Sequence, residues 1–129
     1  MSDNYSEAHH IVEYPGYGKF KICGGNKMLK FRAESFLAKE PTTLEWLQAL
    51  EADSLLIDIG ANIGIYAIPA SLFHVKKVIA VEPEIKNYNM LLDNLAANNI
   101  SPEVCEGLPL AVSTQFKNQF TRLYLTKDE

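Results

Sequence analysis

The run Leu55-Leu56-Ile57-Asp58-Ile59-Gly60-Ala61-Asn62-Ile63-Gly64 opens on three aliphatic residues, with no polar alternation before Asp58. A strand with one wet face alternates, so this pattern predicts a strand covered on both faces. Gly60 then marks a sharp turn. The amphipathic stretch behind it predicts a helix from about Asn62 to Phe73, with Ile65, Ile68 and Leu72 on one face. Pro69 lies inside that stretch and removes a backbone donor, which predicts a kink or an early break. A second apolar run, Val78-Ile79-Ala80-Val81, ends in Glu82, twenty-four residues after Asp58. Strand, glycine turn, helix and strand in this order make a βαβ unit with parallel strands.

The pattern continues outward. Glu84–Asn98 reads as the clearest helix of the chain, with Ile85, Tyr88, Leu92 and Leu95 as its apolar face. Asn98-Asn99 predicts a left-handed stop, Pro102 follows, and Glu103–Glu106 is expected as a third short strand. Leu110-Ala111-Val112 and Phe120–Leu125 suggest further extended segments. Upstream, residues 1–10 read as a frayed tail. Tyr17–Cys23 and Lys27–Ala33 read as a β-hairpin around Gly24-Gly25-Asn26. Thr42 and Glu45 have the spacing of a capping box, so a helix is expected to start there, with Leu44, Leu47 and Leu50 as its seam and Trp46 in the core. The fold class predicted is α/β with a parallel sheet core preceded by a hairpin and a helix. The division expected is a tail and hairpin over residues 1–33 and a Rossmann-like unit over residues 34–129.

Composition sets broad limits. At 129 residues the chain is one domain or part of one, with 47% hydrophobic and 22% charged residues. Twelve Lys and Arg against sixteen Asp and Glu give a net charge of −4, which argues against nucleic acid as a partner. No apolar run approaches the roughly 20 residues that span a bilayer. The polar, acidic N-terminus is unlike a signal peptide, so a cytoplasmic protein without a membrane partner is expected. Cys23 and Cys105 are far apart and read as reduced, half-buried thiols; no metal site is expected.

In a βαβ unit the strand C-termini and helix N-termini meet along one edge of the sheet, which gathers Asp58, Gly60, Asn62, Gly64 and Glu82. Each glycine alone is ordinary turn chemistry, and Glu82 alone is an ordinary strand end. Two acids at matching strand ends point instead to an adenosine-containing cofactor, with Glu82 accepting from the ribose hydroxyls. A dinucleotide site has Gly-x-Gly-x-x-Gly and rests a pyrophosphate on the helix N-terminus. Here the middle glycine is Asn62, and Asp58 would repel a pyrophosphate. Asp58 would attract an ammonium and a nearby sulfonium, which selects S-adenosylmethionine over NAD.

Asp58-Ile59-Gly60-Ala61-Asn62-Ile63-Gly64-Ile65-Tyr66, Glu82-Pro83, the Leu91-Leu92-Asp93-Asn94-Leu95-Ala96-Ala97-Asn98 helix and Lys39-Glu40-Pro41-Thr42-Thr43-Leu44-Glu45-Trp46 together resemble the FkbM-type methyltransferases. The resemblance runs from about Phe31 to Val112. It implies a class I, Rossmann-like fold transferring a methyl group from S-adenosylmethionine to a hydroxyl of a sugar, polysaccharide or natural product. By position it puts Asp58, Gly60, Asn62 and Gly64 on the methionine side, Ala61 among the cofactor-binding residues and Glu82 on the ribose, with Glu40 and Thr43 closing over the cofactor.

The family's domain continues beyond the point matching Lys127-Asp128-Glu129, so the resemblance also implies a truncated, cofactor-binding portion. The strand Leu55–Ile59 is then expected to present an unpaired edge, covered by the hairpin, by Phe120–Leu125 or by self-association. No catalytic base is assigned: His74 is expected at the far end of its helix, and His9 and His10 in the tail. The alternative to an enzyme is a non-catalytic module that binds the cofactor or a partner. A nicotinamide-dependent oxidoreductase is disfavoured by Asp58 and Asn62.

Overall fold

The structure, a computed structural model, describes residues 9–115 and 123–124. Two strands, β1 (His9–Tyr14) and β2 (Gly18–Cys23), form an antiparallel hairpin. Three short helices follow: α1 (Lys27–Glu34), α2 (Phe36–Lys39) and α3 (Pro41–Gln48). Then come β3 (Leu55–Ile59), a single turn α4 (Ala67–Pro69) running into a π-helical turn (Ala70–His74), β4 (Lys77–Val81), α5 (Ile85–Ala97) and β5 (Cys105–Leu108). The last three strands make a parallel sheet in the order β3-β4-β5, so the α/β class and the parallel core are as the sequence predicts.

The hairpin is displaced from its expected position. Pro15-Gly16-Tyr17 makes its turn, with Gly16 at φ 83° and the Tyr17 amide donating to the Tyr14 carbonyl. His9 and His10 therefore belong to β1, and Lys27–Ala33 lies in helix α1 instead of a strand. Asn26 starts that helix by accepting from the Leu29 amide (2.8 Å), leaving Gly24-Gly25 as linker. Helix α3 starts at Pro41, and Glu40 precedes it. The Thr42–Glu45 capping box does not form; Thr43 Oγ1 instead donates to Glu40 Oε2 (3.2 Å). Leu44 and Leu47 are buried, but Trp46 points outward and is 53% exposed, because it sits off the Leu44–Leu47 stripe.

The helix after β3 begins late. Asn62 and Gly64 take left-handed backbone (φ 54° and 90°), so regular helix cannot form before Ala67. Pro69 has no amide to give the ladder, and the turn behind it widens to a five-residue bond, Val75 N to Ala70 O at 3.0 Å. The expected break at Pro69 is thus a π turn. Helix α5 buries Leu91, Asn94 and Leu95, while Ile85 and Leu92 are exposed. The face read from apolar spacing was rotated, because a polar Asn94 lies at its centre. Asn99 takes the left-handed stop (φ 55°), and β5 starts two residues later than expected. Leu110-Ala111-Val112 is exposed and forms no strand; Phe120–Leu125 lies largely outside the described residues.

Among the described residues strand β3 is covered on one face only. Both crossovers run in the same direction, and right-handed connections then place both helical segments on one side of the sheet. By register Leu56, Val78, Ala80 and Cys105 point to that side and are buried. Leu55, Ile57 and Ile59 point to the other and are 56%, 55% and 63% exposed. Among the described residues no strand pairs with the outer edge of β3, and the hairpin strands pair only with each other. The hairpin packs on α5 instead. Asn98 both accepts from Lys21 N and donates to Lys21 O, each at 2.8 Å, and so satisfies the strand edge as a neighbouring strand would. Val12, Tyr14, Phe20 and Ile22 join the same core as Leu56, Ile68, Leu91 and Leu95. Cys23 is half-buried and Cys105 buried, both as free thiols.

Candidate functional site

The loop from Gly60 to Gly64 leaves the C-terminal end of β3 and is tied down from three directions. The amides of Gly60 and Ala61 both donate to the Val81 carbonyl at the end of β4 (2.8 and 3.0 Å). Glu82, buried, accepts from the Asn62 amide on Oε2 (2.8 Å) and from the Glu84 amide on Oε1 (2.9 Å). Asn94 of α5 donates to the Ile63 carbonyl (2.8 Å) while its Oδ1 accepts from Cys23 N (2.6 Å), which links loop, helix and hairpin through one amide. The Asn62 side chain does not cap a helix; its Oδ1 accepts from Arg32 Nη1 of α1 at 2.5 Å.

The two glycines differ. A Cβ at Gly64 would come within 2.6 Å of Leu91 Cδ1, so this glycine admits α5. A Cβ at Gly60 (φ 79°) would meet nothing within 4 Å. That vacancy belongs to a cleft with about 610 Å³ of atom-free space, part of it open to solvent. Asp58, Gly60, Ala61 and Asn62 form its floor. Ile65 and Tyr66 close one end, and Arg32, Ser35, Phe36, Lys39 and Glu40 form the wall from α1 and α2.

Of the residues named from sequence, Asp58, Gly60, Ala61, Asn62 and Glu40 line this cleft. Gly64, Glu82 and Thr43 do not. Glu82 stands behind the loop as a clamp, and Thr43 touches the site only through Glu40. Sequence reading missed Arg32, Ser35, Phe36, Lys39 and Tyr66. Asn26 followed by Leu29 was the available cue to α1, since an Asn three residues before an apolar position is a helix start.

Electrostatics single out two groups. Burial pushes the Asp58 carboxyl above the ordinary carboxylate range, and the negative charge of Glu82 adds to it. The two acids thus sense each other across one rim. Burial and the negative charge of Glu40 push Tyr66 up to about 12, which keeps its phenol protonated. Among the described residues no Lys or Arg forms an ion pair with Asp58 or Glu40. Ser35 Oγ is buried in the wall without a hydrogen-bond partner. Free space at Gly60, an acid without a cation and an orphaned hydroxyl fit a ligand that bears a cation and polar groups.

The histidines lie elsewhere. His74 is buried, its Nε2 3.0 Å from Tyr14 Oη, and burial lowers its pKa. His10 is half-buried in β1 with Nε2 unpartnered, and His9 is exposed with Nε2 4.0 Å from Cys23 Sγ. None lines the cleft. No helix among the described residues is long and apolar enough to cross a membrane.

No protein-family model matches the sequence, and no curated protein matches it. Solved structures do match its fold. M. jannaschii TYW2 in complex with AdoMet is similar with a TM-score of 0.54 and 21% identity, over 80% of this chain and 43% of its own. A SAM-dependent methyltransferase from Agrobacterium tumefaciens gives a TM-score of 0.53 at 11% identity, over 78% of this chain and 32% of its own. P. horikoshii TYW2 in complex with MeSAdo gives 0.50 at 19% identity, over 82% and 37%. At such identities the likeness is one of fold: this chain has part of the class I fold found in SAM-dependent methyltransferases. It spans less than half the length of each of these structures.

Proposed function

We propose that the chain binds S-adenosylmethionine in the Asp58–Gly60 cleft and belongs to a methyltransferase, FkbM-type by its motifs. Asp58 carries this reading. Its desolvated carboxylate shares the cleft with the vacant side of Gly60 and has no cation at ion-pair distance among the described residues. A ligand ammonium would restore the partner that burial has removed, and a pyrophosphate there would be repelled. Tyr66 and Glu40 close the cleft from the side. Glu82 holds the loop from behind by accepting from the Asn62 and Glu84 amides; the ribose contact that the resemblance implies would need the ligand to reach past the loop to the lone pairs those bonds leave free. S-adenosylmethionine would bring an already activated methyl group; the protein contributes position and shielding from water.

The acceptor class, a sugar or natural-product hydroxyl, rests on the FkbM resemblance. A binding module without catalysis is the second reading. It is favoured by the cleft itself, where no histidine lines the wall and Tyr66 is held protonated. Calorimetry with S-adenosylhomocysteine and NAD tests the cofactor. The expected result is binding of the first only, weakened roughly 10- to 100-fold in Asp58→Asn, the scale of one charge-assisted hydrogen bond. Binding of NAD alone would contradict the reading. Transfer of labelled methyl to glycan, with RNA as the comparison, separates enzyme from binder and one acceptor class from the other.

A further inference from the structure

Opposite charges line the cleft without neutralising each other. Arg32 and Lys39 come from α1 and α2; Asp58 ends β3 and Glu40 precedes α3. None of the four pairs with another at ion-pair distance. Arg32 is half-buried and held in place: its Nη1 donates to Asn62 Oδ1, so the guanidinium is fixed over the loop that contains Gly60. Asn62 is a neutral acceptor, which orients the fork but leaves its charge uncompensated and its other N–H groups available. Ser35, one helical turn along from Arg32, adds the buried hydroxyl without a partner. Two adjacent donors, one of them cationic, thus share a cleft with an unpaired carboxylate.

We propose that Arg32, with Ser35 beside it, binds the carboxylate of the ligand's α-amino-acid end while Asp58 binds its ammonium. This rests on the cofactor reading above and deepens it, making α1 the element that selects a nucleoside carrying an amino acid. Lys39 is exposed, and its flexible stem makes it the weaker candidate for a fixed carboxylate. Arg32 suits the role because a planar guanidinium meets a carboxylate with two parallel hydrogen bonds.

The test compares wild type and three variants against three ligands, followed by calorimetry on the full chain. S-adenosylhomocysteine has both charges, decarboxylated S-adenosylmethionine lacks the carboxylate, and 5′-methylthioadenosine lacks the whole amino-acid end. Arg32→Gln is expected to weaken S-adenosylhomocysteine roughly 10- to 100-fold and to leave the other two within about twofold, with partial recovery in Arg32→Lys. Asn62→Ala, which removes the orienting bond but keeps the guanidinium, is expected to cost less than Arg32→Gln. Equal weakening of all three ligands in Arg32→Gln would make Arg32 a support of the loop and overturn the assignment. No effect on S-adenosylhomocysteine would overturn it as well. Wild-type protein that binds none of the three would remove the cofactor reading itself, a result distinct from either.

Discussion

Asn94 and Asp58 both adjoin the glycine loop, and their polar atoms are treated in opposite ways. Asn94 is fully buried, and both ends of its amide are used, on Cys23 N and on Ile63 O. Asp58 is half-buried, lifted above its usual range, and has no cation at ion-pair distance among the described residues. The first arrangement is cohesive: a buried amide bonded at both its nitrogen and its oxygen specifies how hairpin, helix and loop meet. The second costs stability in the free protein, and a bound cation would recover it. The inner side of the loop holds the fold together, and the outer side is left for a ligand.

Replacing Asn94 by Leu should have the largest effect. It would leave Cys23 N and Ile63 O without partners in a dry seam, at a cost of about 2–5 kcal/mol, read as a lower urea midpoint. A loss below about 1 kcal/mol would erase the contrast.

The glycines sharpen it next. Gly64→Ala must push a methyl against buried Leu91 and also occupy left-handed backbone, at a cost of about 2–3 kcal/mol. Gly60→Ala pays only the backbone part, about 1 kcal/mol. Its new methyl stands in the cleft, so S-adenosylhomocysteine affinity should fall more in Gly60→Ala than unfolding stability does. Equal losses of stability at the two positions would mean that Gly60 is packed as tightly as Gly64.

Asp58→Asn should show the smallest change in stability, and of the opposite sign. The folded carboxyl titrates above its unfolded value, so the folded state keeps its proton to higher pH. Stability contributed by this residue is therefore lost as pH rises from the ordinary carboxylate range through the raised value, and regained on acidification. At neutral pH the Asn variant should be at least as stable as the wild type and bind the ligand more weakly. Urea midpoints measured from acid to neutral pH check both the sign and the window.

The core of this arrangement was legible from local signals. An aliphatic run ending in Asp58, a glycine, and a second run ending in Glu82 fix two parallel strands and the rim between them, because each cue lies within a few residues. What failed depended on partners distant in sequence. Two turn signals competed, Pro15-Gly16 and Gly24-Gly25-Asn26, and only the pairing of His9–Tyr14 with Gly18–Cys23 settles which one makes the hairpin. The wrong choice turned Lys27–Ala33 into a strand and hid Arg32 and Ser35 from the site. Leu55, Ile57 and Ile59 show the converse: their sequence reads as buried on both faces, yet the described chain covers only one. Gly64 and Glu82 were found as members of the loop, while their geometry makes them its supports.

The most direct measurement is the titration of the Asp58 carboxyl by carbon-detected NMR, with and without saturating S-adenosylhomocysteine. A pKa above the usual aspartate range in the free protein, falling when the ligand binds, is the result this account predicts, because an ammonium beside the carboxylate stabilises its charged form. A ligand that binds and leaves that pKa unchanged, or raises it, would contradict the account.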